Sequence, residues 1–330
     1  MMHRWLGQRF EVSAIGIGCM PMISNGNITY GAASRDESIA TIHEAIDRGV
    51  TFFDTAQIYG PFQNEELLGE AIRGKREGLK IATKFGFRFD GGQIVGVDGS
   101  PENARASVEG SLQRLGIDEI DLFYQHRVDP QVPIEETVGG MAKLVEEGKV
   151  RHLGLSEAGP DTLRRAVATH PITALQSEYS LWERDVEDEI LPLCKELDVG
   201  FVPYSPLGRG FLAGNIRSLD DLAPDDWRHQ DPRYSAENMP RNLAIVDAVA
   251  AVAGRHEVSN AQVVLAWLLA QWSDLAPIPG VKRRETMRDS IEAPRLALTE
   301  QDLSELDEAA PRGGTAGPRY GERGMRMVRL

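Results

Sequence analysis

Residues 50–60 read VTFFDTAQIYG, a short β-like run that ends on Asp54 and passes into a loop carrying Tyr59. Helical patterns lie on both sides of this segment, at 35–48 and 64–73. A buried strand between two helices, closed by polar side chains, is typical of an α/β fold. The segment also presents an acid and a phenol at the end of one strand.

The same alternation of strand and helix continues along the chain. The predicted strands are 14–19, 50–54, 79–84, 119–125, 150–156, 174–177, 200–204 and 275–278. A helical pattern follows each of them. Eight such units predict a closed parallel barrel, the (β/α)8 or TIM barrel, and the alternative is a doubly wound open sheet.

No linker divides the chain, so we expect a single domain over residues 1–310 that begins with an N-terminal hairpin. Residues 311–330 form a tail rich in arginine and glycine. The segment 208–240 is polar and too long for an ordinary connection, which predicts a long active-site loop.

Composition excludes several classes of protein. Lysine and arginine number 36 against 50 aspartates and glutamates, and the resulting net charge of −14 disfavours nucleic acid and anionic membranes as partners. No apolar run is long enough to span a membrane, and the first residues do not resemble a signal peptide. Cys19 and Cys194 form neither a disulfide framework nor a metal motif, so we expect free thiols, a cytoplasmic protein and no metal.

Two further segments also place an ionisable side chain at the end of a predicted strand, as residues 50–60 do. ATKFG at 82–86 brings Lys84 to a strand end, and YQHR at 124–127 brings His126 to the next. In a barrel the active site lies at these ends of the strands. Each residue alone has an ordinary structural role, such as a cap, a packing residue, a surface charge or a core histidine. Together, the four groups favour a proton-transfer site.

The four types of group suit the reduction of a carbonyl, which needs a hydride donor, a proton donor and stabilisation of the developing oxyanion. A phenol can give up its proton when a nearby ammonium lowers its pKa from about 10. A carboxylate keeps that ammonium charged, and a neutral imidazole can hydrogen-bond the carbonyl oxygen. The chain places one residue of each type at successive strand ends.

Several segments resemble the signatures of the aldo-keto reductase family, in its bacterial and plant-type branch. They are residues 54–60, 64–66, 82–86, 126–127, 154–157 (GLSE) and 204–210 (YSPLGRG). The likeness covers about residues 5–310. It implies a (β/α)8 barrel that uses NADPH to reduce a small aldehyde or ketone. It further implies that Tyr59 is the general acid, that Lys84 tunes Tyr59 and is held by Asp54, and that His126 orients the carbonyl.

The resemblance also implies a cofactor site. Near the nicotinamide it places Cys19, Met20, Ser156, Glu157 and Gln176, with Tyr204 stacked on the ring. The segment along the pyrophosphate would be Ser205, Pro206, Leu207, Gly208, Arg209 and Gly210. Its two glycines permit close approach of the main chain to the phosphates.

A basic cluster begins the last barrel helix and includes Gly280, Lys282 and Arg283. Basic side chains are poor partners for a helix N-terminus, and an anion there would remove the conflict. The family's anion is the 2′-phosphate, and the alternative is a solvated basic cluster. The three positions where the family usually carries arginine, glutamate and asparagine at the adenine hold Thr286, Asp289 and Ser290. Only Asp289 is a close substitute.

Substrate contacts and the tail are less clearly marked. Met20, Arg127 and Trp227 are the predicted substrate residues, with Phe87 and Trp182 in nearby loops, and the alternative for each is loop packing. The tail carries five arginines against one acid, Glu322. It either folds over the cofactor, meets an acidic partner chain or stays disordered.

Three functions compete. The first is an NADPH-dependent reductase of aldehydes or ketones. The second is a barrel of the same family that binds the cofactor but serves as a regulatory subunit, suggested by the altered adenine region and the basic tail. The third is a lyase or aldolase that uses Lys84 as a Schiff base. We rank it last, because a lysine beside Asp54 should stay protonated.

Overall fold

The computed structural model describes residues 1–7, 10–23, 30–91 and 93–330. In chain order the strands are β1 (His3–Leu6), β2 (Phe10–Ser13), β3 (Ile17–Gly18), β4 (Phe52–Asp54), β5 (Lys80–Phe85), β6 (Phe87–Asp90), β7 (Gln93–Val97), β8 (Ile120–Gln125), β9 (Val150–Ser156), β10 (Ala174–Glu178) and β11 (Gly200–Tyr204). Seven of them form one parallel sheet in the order β11-β10-β9-β8-β5-β4-β3.

The segment 274–281 closes this sheet into a barrel between β11 and β3. The N–H groups of Ala276 and Ile278 donate to β11 carbonyls at 3.1 Å, and the carbonyls of Pro277 and Pro279 accept from glycines in and before β3 at 2.9 and 3.0 Å. Neither proline has an N–H to return toward β3. The eighth strand predicted at 275–278 therefore contacts its neighbours through isolated β-bridges and does not form a regular strand. The predicted (β/α)8 barrel is confirmed, and the open sheet is excluded.

Helices cover the outside of the barrel. They are α1 (Arg35–Asp47), α2 (Gln63–Ala71), α3 (Pro101–Leu115), α4 (Ile134–Glu146), α5 (Pro160–Thr169), α6 (Ile190–Glu196), α7 (Met239–His256), α8 (Asn260–Gln271), α9 (Arg284–Glu292), α10 (Glu300–Ala309) and α11 (Glu322–Met325). Local sequence sets their ends: Ser34 and Ser100 accept N-cap hydrogen bonds from main-chain N–H groups, and Gly116 ends α3 with φ 64°. None of the helices in these ranges is long and apolar enough to cross a membrane.

The predicted N-terminal hairpin is β1 paired with β2, and it closes the amino end of the barrel. Its apolar side chains Leu6, Phe10 and Val12 join the cluster that fills the barrel interior, together with Phe52 and Leu122. Because this end is plugged, the carboxyl ends of the strands form the open end, where a TIM barrel carries its active site.

Three parts of the fold go beyond the predicted elements. β6 and β7 pair as an antiparallel hairpin directly after β5. The long segment 208–240 consists largely of short 3-10 turns. The tail packs back onto the barrel: the N–H of Gly159 donates to the carbonyl of Leu330 at 2.7 Å, and the N–H of Ala316 donates to Asn242 Oδ1 at 2.8 Å.

Candidate active site

Lys84 is the centre of a buried polar cluster at the open end of the barrel. Its ammonium donates to Asp54 Oδ1, to the carbonyl of Thr55 at 2.9 Å and to the hydroxyl oxygen of Tyr59 at 3.3 Å. The side chain is fully buried, and that of Asp54 is 2% exposed. Since β4 and β5 are adjacent and parallel, their ends meet and bring the acid, the lysine and the phenol together.

The second oxygen of Asp54 is held from across the barrel. Gln176 on β10 donates through Nε2 to Asp54 Oδ2 at 2.8 Å. The residue predicted to meet the nicotinamide amide therefore also fixes the carboxylate that holds Lys84. With both oxygens occupied, Asp54 has one orientation in which it serves the ammonium.

The motif at 64–66 braces the same strand ends from α2. Asn64 accepts from the hydroxyl of Thr55 at 2.6 Å and donates to the carbonyl of Cys19 at 2.8 Å. Glu65 is completely buried and accepts from the hydroxyl of Thr83 and from Arg114 Nε at 2.6 Å. These contacts explain why polar residues stand at the start of α2 beneath the site.

Electrostatics keep protons on both Lys84 and Tyr59. Burial acts to lower the pKa of the Lys84 ammonium, but Asp54 and Tyr59 outweigh it and hold that pKa above its ordinary value. For Tyr59 burial raises the pKa, and the opposing effect of Lys84 is smaller. The expectation of a lowered pKa for this phenol is therefore wrong, because the burial of the hydroxyl outweighs the charge of Lys84. Tyr59 carries its proton at neutral pH.

His126 follows β8 and faces the same cluster. Its ring lies edge-on to Tyr59, with centroids 6.0 Å apart, and to Phe87 at 5.2 Å. Burial, and then the nearby charges of Arg127 and Lys84, hold the pKa of the imidazole well below its ordinary value. The ring is therefore neutral at neutral pH and can donate a hydrogen bond from only one nitrogen at a time. Phe87, a loop residue in the sequence, packs against it.

Strained main chain marks the positions predicted to hold the cofactor. Of the seven described non-glycine residues with positive φ, three are Glu157 (56°), Ser205 (47°) and Arg209 (58°). Residues in this region persist where the surroundings enforce it, and such residues cluster at binding sites. Leu207 (φ −98°, ψ 20°) followed by left-handed Gly208 has the main-chain angles of an anion-binding nest, in which the N–H of Gly208 already donates to the carbonyl of Ser205 at 2.9 Å.

Arg209 enters a buried ion-pair network. It pairs with Asp231 of the long segment and, at 3.1 Å, with Glu178 at the end of β10. Its guanidinium carbon also lies 5.2 Å from the ring centre of Trp227 and 4.6 Å from that of Tyr320. The predicted pyrophosphate segment is thus tied to β10, to the long segment and to the tail.

Glu157 and Tyr204, two predicted nicotinamide contacts, are held by the tail. Arg319 donates to Glu157 Oε1 at 2.6 Å and to the hydroxyl of Tyr204 at 2.9 Å. The hydroxyl of Tyr320 lies 2.8 Å from that of Tyr204. The remaining carboxylate oxygen of Glu157, Oε2, is buried and has no hydrogen-bond partner among the described residues.

The predicted phosphate residues sit beside the segment that precedes α1. Lys282 donates to the carbonyls of Tyr30 at 2.6 Å, of Gly31 at 3.2 Å and of Ala32 at 2.9 Å. Burial lowers its pKa, and the nearby charges of Arg283 and Arg228 lower it further. Arg283 is the exposed residue before α9. Gly280 bridges Gly18 where the barrel closes.

The residues predicted to hold the adenine lie on α9, and their polar side chains already form hydrogen bonds with other residues of the protein. Asp289 accepts from the hydroxyl of Ser259 and from Gln262 Nε2, both at 2.7 Å, and so ties α9 to the start of α8. The hydroxyls of Thr286 and Ser290 donate to main-chain carbonyls of their own helix region. The structure thus gives Asp289 a role in packing α8 against α9.

The remaining residues predicted to contact the cofactor or the substrate lie at separate places around the open end of the barrel. Cys19 is fully buried, and burial raises the pKa of its thiol, while Met20 begins a short 3-10 turn and is partly exposed. Arg127 donates to the carbonyl of His126 at 2.7 Å and to Ser156 Oγ at 3.3 Å. Trp227 packs edge-on against Tyr30, with centroids 5.8 Å apart.

Trp182 belongs to the core. Its ring is 1% exposed and stacks on Phe211 with centroids 4.9 Å apart. Of the two alternatives for Trp182, the structure supports loop packing and not a substrate contact, because the ring packs under the long loop. In the described ranges, no group of three histidine, cysteine or acidic side chains is arranged to hold a metal ion.

Sequence reasoning missed several members of the buried network, namely Glu178, Glu183, Asp231, Arg319 and Tyr320. The only sequence signal for the tail was its excess of arginine. That signal does not distinguish the buried Arg319 from Arg326, whose side chain is 75% exposed.

Comparisons with known proteins identify the family of this chain. The model of the Aldo/keto reductase family matches residues 14–311. A "Probable aldo-keto reductase 1" from Glycine max is 48% identical over 314 residues, which are 95% of this chain and 90% of that protein. The chain belongs to the aldo-keto reductase family.

Solved structures give the same result. The glycerol dehydrogenase AKR11B4 from Gluconobacter oxydans aligns with a TM-score of 0.84 and 27% identity, over 93% of this chain and 94% of that one. The thermostable aldo-keto reductase Tm1743, in complex with the inhibitor epalrestat, aligns with a TM-score of 0.74 and 28% identity, over 94% and 100%. Family membership implies carbonyl reduction of small molecules with a nicotinamide cofactor.

Proposed function

We propose that the protein is an NADPH-dependent reductase that converts an aldehyde or ketone to an alcohol, with Tyr59 as general acid. The observation that carries the proposal is the buried cluster in which the Lys84 ammonium bonds Asp54 and lies 3.3 Å from the Tyr59 hydroxyl. A phenol beside a buried ammonium can donate a proton to a carbonyl, which is the chemistry that general acid catalysis requires.

Tyr59 supplies the proton in this mechanism. Its raised pKa keeps the phenol protonated until negative charge develops on the substrate oxygen. When the proton moves to that oxygen, the remaining phenolate faces the Lys84 ammonium. Lys84 stays charged because Asp54 is oriented toward it by Gln176. The ammonium thus lowers the cost of the phenolate, although burial keeps the pKa of Tyr59 above its ordinary value.

His126 positions the carbonyl. Because its imidazole is neutral, it can donate one hydrogen bond to the substrate oxygen without competing for the proton of Tyr59. Its edge-on contacts with Tyr59 and Phe87 limit the ring to one orientation.

The residues around the open end fit a nicotinamide dinucleotide, which supplies the hydride when bound. Buried Glu157 Oε2 has no partner within the described residues, and a carboxamide N–H would satisfy it beside Ser156 and Gln176. Tyr204 would face the nicotinamide ring. The left-handed turns of 205–210 are suited to phosphate oxygens.

A preference for NADPH rests on Lys282 and Arg283. Burial lowers the pKa of Lys282, and the charges of Arg283 and Arg228 lower it further. The three positive side chains therefore lie close enough to repel one another. An anion such as the 2′-phosphate would relieve their repulsion, and Lys282, whose ammonium donates to three carbonyls, would have to exchange one of these bonds for the phosphate. Asp289 is engaged by Ser259 and Gln262, so its part in holding the adenine would require a shift of its side chain.

The lyase alternative loses support from the same geometry. A Schiff base needs a neutral amine, whereas Lys84 is held as an ammonium by Asp54 and has no exposed surface. The regulatory alternative differs from the reductase only in turnover.

The test is loss of nicotinamide absorbance with NADPH and then NADH, across a panel of aldehydes, ketones and quinones. The proposal expects turnover that favours NADPH. Equal turnover with both cofactors would refute the phosphate role of Lys282 and Arg283. Tight binding of NADPH without turnover of any carbonyl would favour the regulatory subunit.

A further inference from the structure

The tail inserts one arginine into the buried network of the site. Arg319 is 3% exposed and lies within ion-pair distance of three carboxylates: Glu157 at 2.6 Å, Glu178 at 3.3 Å and Glu183 at 3.8 Å. The same Nη2 that bonds Glu157 also donates to the hydroxyl of Tyr204 at 2.9 Å. One side chain thus joins the ends of β9, β10 and β11.

Tyr320 reinforces this connection. Its hydroxyl lies 2.8 Å from that of Tyr204, and its ring faces the guanidinium of Arg209, 4.6 Å from ring centre to guanidinium carbon. A guanidinium over an aromatic face is a favourable contact. The pair 319–320 therefore touches both the residue proposed to face the nicotinamide ring and the segment proposed to follow the pyrophosphate.

The charges show why Arg319 cannot be replaced by its neighbours. Glu178 is also paired with Arg209, and Glu183 with Arg233 at 2.6 Å. In the described part of the chain, Glu157 has an ion pair with Arg319 alone. A buried carboxylate that loses its only cationic partner becomes costly to keep ionised and takes up a proton or turns away.

The tail holds Arg319 in place from both sides. On one side, Ala316 exchanges two hydrogen bonds with the side chain of Asn242, at 2.8 and 3.0 Å. On the other, the carbonyl of Leu330 accepts from the N–H of Gly159 at 2.7 Å. The position of the guanidinium is therefore set by packing against α7 and the start of α5.

We propose that Arg319 is a positioning residue of the nicotinamide half of the site, and that the tail is in this way a part of the cofactor site. Together with the N–H of Glu178, which donates to the same oxygen at 3.1 Å, it holds Glu157 Oε1 so that Oε2 is offered to the carboxamide. Together with Tyr320 it holds the hydroxyl of Tyr204 so that the ring keeps its plane. The inference rests on the proposed function, because it assumes that NADPH binds at this end of the barrel.

The experiment compares binding of two ligands to the full chain. NADPH is titrated by its fluorescence, and 2′-phospho-ADP-ribose, which lacks the nicotinamide ring, is titrated by calorimetry. The variants are Arg319→Met and Arg319→Lys, with Arg326→Met as matched control, since Arg326 is exposed and pairs only with Glu322 among the described residues. Melting curves establish that each variant is folded.

Arg319→Met should weaken NADPH binding about tenfold, the effect of one lost hydrogen bond to a charged group, and leave 2′-phospho-ADP-ribose within about twofold. Arg319→Lys should bind NADPH more tightly than Arg319→Met but more weakly than the wild type, because lysine restores the charge but cannot contact both Glu157 and the Tyr204 hydroxyl as arginine does. Arg326→Met should bind both ligands as the wild type does.

Two results would overturn the inference: unchanged NADPH binding in Arg319→Met, or equal losses for both ligands, which would mean general distortion. If Arg319→Met does not fold, Arg319→Lys decides, with about threefold weaker NADPH binding expected and no change refuting the proposal. Failure of the wild type to bind NADPH at all would instead refute the proposed function. The two failures are therefore distinguishable.

Discussion

Asp54→Asn removes one charge from the catalytic cluster at almost constant volume. The carboxylate accepts from Lys84 through Oδ1 and from Gln176 Nε2 through Oδ2 at 2.8 Å. An amide has one oxygen and one NH2 group, so one of these two donors would then face another donor. The variant therefore loses an ion pair and a hydrogen bond inside a site where Lys84 has no access to water.

The expected destabilisation is large. Removing one partner of a buried ion pair costs about 3–5 kcal/mol, because the other charge remains buried without compensation. The matched control is Asp247→Asn, whose carboxylate is 62% exposed and pairs with Arg217 at 2.8 Å. An exposed pair contributes only about 0–1 kcal/mol. Urea unfolding of both variants at pH 7 measures the two free energies.

The pH dependence gives a second, independent readout. In the wild type the Lys84 pKa lies above its ordinary value of 10.5, so the stability that its charge contributes is present at neutral pH and is lost only as the pH rises through that higher pKa. Without Asp54, burial is the largest remaining influence and lowers the pKa. The variant should lose its ammonium at a lower pH than the wild type.

Turnover of the variant relative to the wild type should therefore fall as the pH rises from 7 to 10, because Tyr59 loses the charge that stabilises its phenolate. Steady-state rates with saturating NADPH and carbonyl measure this ratio. Parallel pH profiles, or a loss of unfolding free energy no greater than that of Asp247→Asn, would refute the reasoning that Asp54 holds Lys84 charged.

Two further substitutions test the cofactor site and the core. Arg283→Met should raise the Kd for NADPH about tenfold, because it removes a charge-assisted bond to the 2′-phosphate, and should leave the Kd for NADH within about twofold. The control is Arg295→Met, at a side chain that is 78% exposed. Equal losses of affinity for both cofactors would contradict the assignment of Arg283. Trp182→Ala should lower the free energy of unfolding by about 3–5 kcal/mol, because it removes a buried ring that stacks on Phe211 and leaves a cavity. Trp5→Ala, at a residue that is 50% exposed, should lower it by under about 1 kcal/mol. Similar urea midpoints for the two tryptophan variants would refute the core position of Trp182.

The sequence predicted the barrel and the central cluster because both depend on local order. Asp54, Lys84 and His126 each end a strand, and adjacent parallel strands bring their ends together whatever the details of packing. The regular form of the eighth strand was overestimated, and the first barrel strand, predicted at 14–19, is limited to Ile17–Gly18. Pro277 and Pro279 alternate within it and leave it without donors on one side.

The remainder depends on contacts between distant residues. Arg319 and Glu157 are 162 positions apart, and no periodicity connects them. Trp182 was placed in a loop near the substrate or in loop packing, and the sequence could not decide between the two, because its ring is enclosed by distant residues of the long loop, including Phe211 and Tyr234. The pKa of Tyr59 depends on burial, which only the packed barrel determines.

The most direct test of the account is single turnover of Tyr59→Phe with bound NADPH and an aldehyde that the wild type reduces, followed by nicotinamide absorbance. The account predicts a rate of hydride transfer lower by about 10² or more, the scale of lost general acid catalysis, with the Kd for NADPH unchanged. A variant that kept the wild-type rate while hydride transfer was rate-limiting would contradict the role of Tyr59 as the proton donor.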